Sequence, residues 1–184
     1  MIHSVQLLLD EIEAGFRPKY LHFWGHTPRK ANVIDKSCFS QWFPSPFEVD
    51  NVTYPTAEHF MMAGKARLFG DDEMLANILA ASHPKQAKGF GRKVRGYQQA
   101  VWEANRHKIV LQANIAKFSQ NQAMGDYLRT TEARVLVEAS PYDAIWGIGL
   151  RASHANAANP AKWRGLNLLG FVLMDTRSHL YRSA

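Results

Sequence analysis

Apolar and polar positions along the chain recur with two periods, and the switches between them mark out the elements. Residues 5–14 set Leu8, Leu9 and Ile12 on one helical face, and Gly15 followed by Pro18 gives the stop. This helix reads as a short N-terminal extension. Residues 20–24 are aromatic-rich and predict a short strand, after which 26–36 form a mostly polar loop containing Pro28. Residues 47–54 predict a hairpin with Asp50 and Asn51 at its turn. Pro55 ends the hairpin, and Thr56 suits the N-cap of a helix over 56–70. Helical spacing returns over 72–81, 84–90, 97–118 and 122–130. Val135 and Val137 alternate in a strand over 134–138, and 166–180 form a final helix. The sum is an α+β fold, predominantly α-helical with a small antiparallel sheet, in a single domain over 1–184 with neither repeat nor linker. Strand order is not encoded in these patterns.

The helix TAEHFMMAGKARLFG carries two charges inside its apolar stripe. At about 100° per residue, with Glu58 as origin, Met62 and Phe69 fall at about +40° and +20°, Met61 and Leu68 at about −60° and −80°, and Lys65 at about −20°. Arg67 points about 180° away, where a solvated charge belongs. Taken singly, Glu58 is a first-turn acid favoured by the helix dipole and Lys65 a snorkelling side chain. Together they sit about 10 Å apart along the axis, too far for an easy ion pair. A cavity between them holding a polar ligand accounts for both.

An apolar fraction of 46% with five Trp and ten Phe is enough for a sizeable core in 184 residues. The net charge of +6 raises a nucleic-acid reading, yet the basic residues are scattered from Arg17 to Arg182. The densest group, Lys85, Lys88, Arg92, Lys93 and Arg95, would serve one phosphorylated small molecule as well as a polynucleotide. A single cysteine, Cys38 between Ser37 and Phe39, excludes an internal disulfide and reads as a small buried side chain in a reducing cytoplasm. The short apolar run at 5–9 is followed by Asp10, Glu11 and Glu13 rather than a cleavage site, and no stretch reaches membrane-span length. The eight His show no paired metal spacing, and neither a P-loop nor a GxSxG elbow is present.

Three further stretches bear chemistry-capable residues. In SPYDAIWGIGLR, Trp146 stands beside two glycines that permit close backbone approach, with Asp143 three residues earlier; a tight turn with Trp146 plugging the core is the plainer reading. Trp102 shares a helical face with Ile109, Ala113 and Ala116, an ordinary buried stripe. GFGR at 89–92 offers backbone amides and the Arg92 guanidinium to a phosphate, or is simply a solvated loop.

The stretches FSQWFPSPFEVDNVTYPTAEHFMMAGKA, the GR pair at 91–92, VWEANRHKI, YDAIWGIGL and WRGLNLLGFVLMDTR occur in the order seen in the NADAR, or YbiA-like, family, which the chain resembles over roughly residues 21–180. The resemblance implies an N-glycosidase needing neither cofactor nor metal. Its substrates would be phosphoribosylamino-pyrimidine intermediates of riboflavin biosynthesis or, in some branches, guanine bases carrying ADP-ribose, so that ADP-ribosylated nucleic acid is a further partner and a membrane is not. A non-catalytic ADP-ribose or NAD-binding module is the rival from another class. By matching motifs, the family's acid falls on Glu58, its helix lysine on Lys65, its site tryptophans on Trp102 and Trp146, and its aspartate before the WG pair on Asp143. Arg92 would hold phosphate, and Gln41 would contact ligand. Some members carry an aspartate where this chain has Ile148, and others read FSNF where it has Phe39, Ser40, Gln41 and Trp42. Glu58 would protonate the departing amine or activate water, while Lys65, if neutral, would attack the opened sugar as a Schiff-base nucleophile.

Overall fold

The computed structural model describes residues 2–181. In chain order the elements are α1 (Val5–Glu13), β1 (Tyr20–Phe23), a 3-10 turn (Lys36–Phe39), β2 (Phe47–Val49), β3 (Val52–Tyr54), α2 (Ala57–Leu68), α3 (Asp72–Leu79), α4 (Pro84–Gly91), α5 (Gln99–Gln120), α6 (Gln122–Arg129), β4 (Val135–Glu138), a second 3-10 turn (Pro160–Lys162) and α7 (Leu168–Tyr181). Helices dominate, as the hydrophobic periods predict. They form two compact units, one of residues 41–122 and one joining 1–40 to 123–184.

The unit of residues 41–122 is organised around α2, against which α3, α4 and α5 all pack. The first half of α2 is buried on every side, from Ala57 to Ala63. Its start is fixed by Thr56, whose hydroxyl accepts from the His59 amide at 3.4 Å and lies 2.8 Å from His59 Nδ1. His59 Nε2 lies 3.1 Å from the Ala81 carbonyl, to which it donates, and burial lowers the imidazole's pKa. The hairpin β2–β3 forms as expected: Asp50 and Asn51 both adopt positive φ, at 53° and 60°, the conformation that a tight hairpin turn requires of its two central residues. Phe47 opposite Tyr54 stacks on it at 5.9 Å, and Phe60 meets Tyr54 edge-on at 4.9 Å, which ties the hairpin to α2.

In the other unit β1 pairs with β4 in parallel, Tyr20 to Val135 through Phe23 to Glu138. This parallel pair is additional to the antiparallel hairpin that the sequence predicts. Along β4 the amides of Val135 and Ala139 bond towards β1, so Leu136 and Glu138 face the opposite edge. Asn167 closes that edge: its Oδ1 accepts from the Glu138 amide at 2.9 Å, and its Nδ2 donates to the Leu136 carbonyl at 2.9 Å. The helix α7 then lies on β4. The α1 helix, capped by Ser4, packs against the 3-10 turn at Pro160–Lys162 with Leu8 fully buried. Cys38 is fully buried, as expected of a small core side chain.

Candidate functional site

The α2 helix delivers both charges of its stripe to defined surroundings. Glu58 sits in the first turn, only 2% exposed, and its backbone amide donates to the Gln41 carbonyl at 3.0 Å. A carboxylate there faces the positive end of the helix dipole. Two turns later Lys65 is half-buried, and its Nζ donates to the Gly91 carbonyl at 2.9 Å. The same Nζ lies 4.3 Å from the Tyr97 ring centroid and 5.9 Å from that of Trp102. The amine is therefore seated on one carbonyl between two aromatic rings, a cation's preferred environment in a dry place. Burial nonetheless pushes the Lys65 pKa below its ordinary value, because desolvation disfavours the charged form.

The seat depends on how closely α4 approaches α2. A side chain on Gly91 would collide with Met62, whose Cγ and Cβ lie 2.8 Å and 3.1 Å from where a Cβ would stand. Only a residue without a side chain lets the last turn of α4 bring its carbonyl under Lys65. This revises the expectation for GFGR. The helix expected over 84–90 forms and runs one residue further, to Gly91, so the loop alternative falls, and the Arg92 and Lys93 amides bond to Lys88 and Phe90 carbonyls at 3.1 and 2.8 Å. What the segment contributes at its end is a carbonyl acceptor, not a nest of amides. Arg92, the next residue, is exposed.

Gln41 is 6% exposed, and its Nε2 donates to Asn114 Oδ1 at 3.2 Å, while Asn114 Nδ2 in turn donates to the Val110 carbonyl at 2.8 Å. Gln41 Oε1 is a buried acceptor with no partner among the described residues. Trp102 is 9% exposed on α5, in a buried stripe with Val110, Ala113 and Lys117. Thus Glu58, Lys65, Gln41, Arg92 and Trp102 all belong to the unit of residues 41–122, as does Tyr97, which no sequence motif marks.

Trp146 and Asp143 belong to the other unit. Asp143 Oδ1 accepts from the amides of Ile145 and Trp146 at 2.9 and 2.7 Å, and its carbonyl accepts from Gly149 at 3.1 Å. The aspartate thereby builds the turn that carries the WG pair. Trp146 is half-buried, and the core plug of this turn is Ile148, fully buried with its amide on the Glu138 carbonyl at 2.9 Å. The position that is an aspartate in some relatives is here hydrocarbon in the core. Gly147 has Glu138 and Asp143 carbonyls where a side chain would go, which explains the glycine after the tryptophan.

No group of His, Cys, Asp and Glu among the described residues could hold a metal ion, and no described helix is long and apolar enough to cross a membrane. Comparison with known proteins agrees with the motif order. The N-glycosidase R617 of Acanthamoeba polyphaga mimivirus is 42% identical over 164 residues, covering 86% of this chain and 95% of that protein. The N-glycosidase YbiA of Escherichia coli (strain K12) is 33% identical over 146 residues, 79% of this chain and 81% of its own. The solution structure of E. coli YbiA superposes with a TM-score of 0.68 at 28% identity, covering 90% of this chain and 86% of that one. The maize chloroplastic riboflavin biosynthesis protein PYRR is 31% identical over 84% of this chain, but over only 26% of its own length. The NADAR domain model matches residues 22–181, and with this extent of match the chain belongs to the NADAR family.

Proposed function

We propose that the N-glycosyl bond cleaved by this hydrolase joins a phosphorylated ribose to the exocyclic nitrogen of a pyrimidine intermediate of riboflavin biosynthesis. The observation that carries the reading is the Lys65 amine. It is half-buried, is held on the Gly91 carbonyl at 2.9 Å, and stands two helical turns beyond a buried carboxylate on the same helix. Similarity to the maize riboflavin biosynthesis protein supports the substrate class.

Each residue then has a task set by its chemistry. Glu58, buried at the positive end of α2, supplies a proton to the departing amine and in its ionised form directs water. Lys65 must lose its proton to act as a nucleophile, and the desolvation that lowers its pKa makes that less costly. Its attack on C1 of the opened ribose expels the pyrimidine amine, and hydrolysis of the resulting imine returns the free sugar phosphate and the lysine. Trp102, whose ring is 5.9 Å from the amine, offers a stacking face for the base. Gln41 Oε1 offers a buried acceptor for a ribose hydroxyl. Arg92, immediately after the carbonyl that seats Lys65, offers a guanidinium to the phosphate. Trp146 and Asp143 enter through the family motif, with Asp143 acting by shaping the turn that presents Trp146. A single cysteine, and so no internal disulfide to stabilise the fold, suits a reducing compartment such as the cytoplasm.

The test is incubation of the purified protein with the phosphoribosylamino-pyrimidine, and in parallel with a guanine-ADP-ribosylated oligonucleotide. Release of ribose 5-phosphate from the first, and little ADP-ribose from the second, is expected. The reverse preference would move the substrate to ADP-ribosylated nucleic acid. Binding without release of either would make the protein a ligand-binding module.

A further inference from the structure

Tyr97 is an exposed aromatic, 40% accessible, yet it is fixed from several directions. Phe69 packs edge-on against its ring at 5.4 Å, and its hydroxyl donates to Gln99 Oε1 at 2.6 Å, with Gln99 bonded on to Glu103. Two residues before it, Arg95 is fastened to Asp71 by three hydrogen bonds: the backbone amide at 2.8 Å and Nε at 3.1 Å to Oδ2, and Nη2 at 2.6 Å to Oδ1. Arg95 also pairs with Glu73 at 3.0 Å. Between Arg95 and Tyr97, Gly96 turns the chain with φ of +68°, a conformation that side chains resist. A surface ring with no task does not need this much constraint. Over the ring face itself lies the Lys65 ammonium, 4.3 Å from the centroid.

We infer that Tyr97 is the positioning residue for Lys65: its ring face seats the ammonium over the Gly91 carbonyl, and the Asp71–Arg95 clamp holds that ring in place. The inference rests on Lys65 being the reactive amine of the proposed function. No carboxylate among the described residues lies within ion-pair distance of Lys65. The charged groups on the elements packed against α2 are Asp72 and Glu73 on α3, Lys85 and Lys88 on α4 with Arg92 after it, and Glu103, Arg106, Lys108 and Lys117 on α5. Glu58 and Arg67 share the helix, and His59, His83, His107 and, on β3, Tyr54 are further titratable groups on these elements and their caps. Without an ion pair, the ring and the carbonyl are what offset burial in favour of the charged amine. Tyr97 therefore decides how readily Lys65 gives up its proton, and where the free amine then points.

Competitive labelling with acetic anhydride across pH, read at the Lys65 peptide by mass spectrometry, measures the midpoint of Lys65 deprotonation without any substrate. Tyr97→Phe keeps the ring face and should keep the wild-type midpoint. Tyr97→Leu keeps a covering apolar group but loses the ring quadrupole, so the midpoint should fall by about 0.4 to 1.5 pH units, the pH equivalent of a cation–π contact. Arg95→Gln, which loosens the clamp and leaves the ring, should shift the midpoint the same way by a smaller amount. In turnover, the ascending limb of the pH profile should move to lower pH in Tyr97→Leu and stay in Tyr97→Phe. An unchanged or raised midpoint in Tyr97→Leu would overturn the inference, the raised one showing that the ring serves mainly to exclude water. An unchanged midpoint in Arg95→Gln would overturn the clamp. Full activity in Lys65→Ala would instead remove the catalytic reading while leaving the labelling result intact, so the two failures are distinguishable.

Discussion

Two glycines in α4, two residues apart, should respond to alanine with opposite signs. At Gly91 an added Cβ would lie 2.8 Å from Met62 Cγ and 3.1 Å from Met62 Cβ, and closer still to its sulfur. The sulfur arm can rotate but Met62 Cβ cannot, and the side chain is buried. Overpacking of this kind costs about 1–3 kcal/mol. Against it stands the helix propensity of Ala over Gly, up to ~1 kcal/mol and less at a last helical residue. Strain wins, leaving Gly91→Ala destabilised by about 1–2 kcal/mol, or a melting temperature lower by roughly 2–8 °C at this chain length. Gly89 has nothing within 4 Å of its would-be Cβ, so Gly89→Ala keeps only the propensity gain and should be stabilised by up to ~1 kcal/mol. Moving α4 outward also lengthens the 2.9 Å bond from Lys65 to the Gly91 carbonyl. The amine then loses its fixed position, and misplacing a reacting group by about 1 Å costs up to ~100-fold, so kcat/KM in Gly91→Ala should fall on the order of tenfold or more while Gly89→Ala is unaffected. Thermal unfolding and initial rates on the three proteins decide it. A Gly91→Ala protein as stable and active as wild type, or a Gly89→Ala protein equally damaged, would refute the close-approach account of the lysine seat.

In the other unit, Asn167→Ala strips partners from the Glu138 amide and the Leu136 carbonyl and should cost roughly 2–6 kcal/mol in denaturant unfolding, since each buried group left unsatisfied costs about 1–3; a loss below ~0.5 would show that the β4 edge does not depend on this side chain. Asp143→Asn keeps an oxygen for the Ile145 and Trp146 amides and should retain stability and most activity, whereas Asp143→Ala should lose about 1 kcal/mol and more activity; equal damage by both would assign the aspartate a direct charge role. The Arg95 guanidinium and amide hold the Asp71 carboxyl well below its ordinary 3.8. A depressed folded-state pKa gives stability that is complete above the unfolded value and lost as pH falls below it, so the acid limb below about pH 4 should be shallower in Asp71→Asn than in wild type. Identical acid limbs would show that the pair contributes nothing to acid stability.

Local rules reached far along this chain where a residue's conformation is set by its neighbours in sequence. Asp50 and Asn51 tolerate positive φ, so the hairpin was legible, and Thr56 before a helical run marked the start of α2. The parallel pairing of β1 with β4 was not legible, because strands separated by more than a hundred residues share no turn and leave no local signature. The helical spacing over 84–90 was legible in spite of two glycines, but the reason for Gly91 was not: it is required by packing against Met62, a constraint visible only once α4 meets α2. Likewise Lys65 stood out by its angle on the helix, but its partners Gly91 and Tyr97 lie 26 and 32 residues on. For Trp146 the sequence supports both a core plug and, through the family motif, a site residue, and burial separates them. The core position in that turn belongs to Ile148, which has no polar edge to keep wet.

The central claim, that Lys65 attacks the ribose, is tested most directly by borohydride trapping during turnover of the phosphoribosylamino-pyrimidine, with the adduct located by peptide mass spectrometry. The expected result is a reduced sugar-phosphate adduct on Lys65 in wild type, none in Lys65→Ala, and at least ~100-fold slower turnover in both Lys65→Ala and Glu58→Gln, the scale of losing a catalytic group. A Lys65→Ala enzyme that turns over at the wild-type rate, with no adduct trapped in either protein, would contradict it and leave direct attack by water assisted by Glu58.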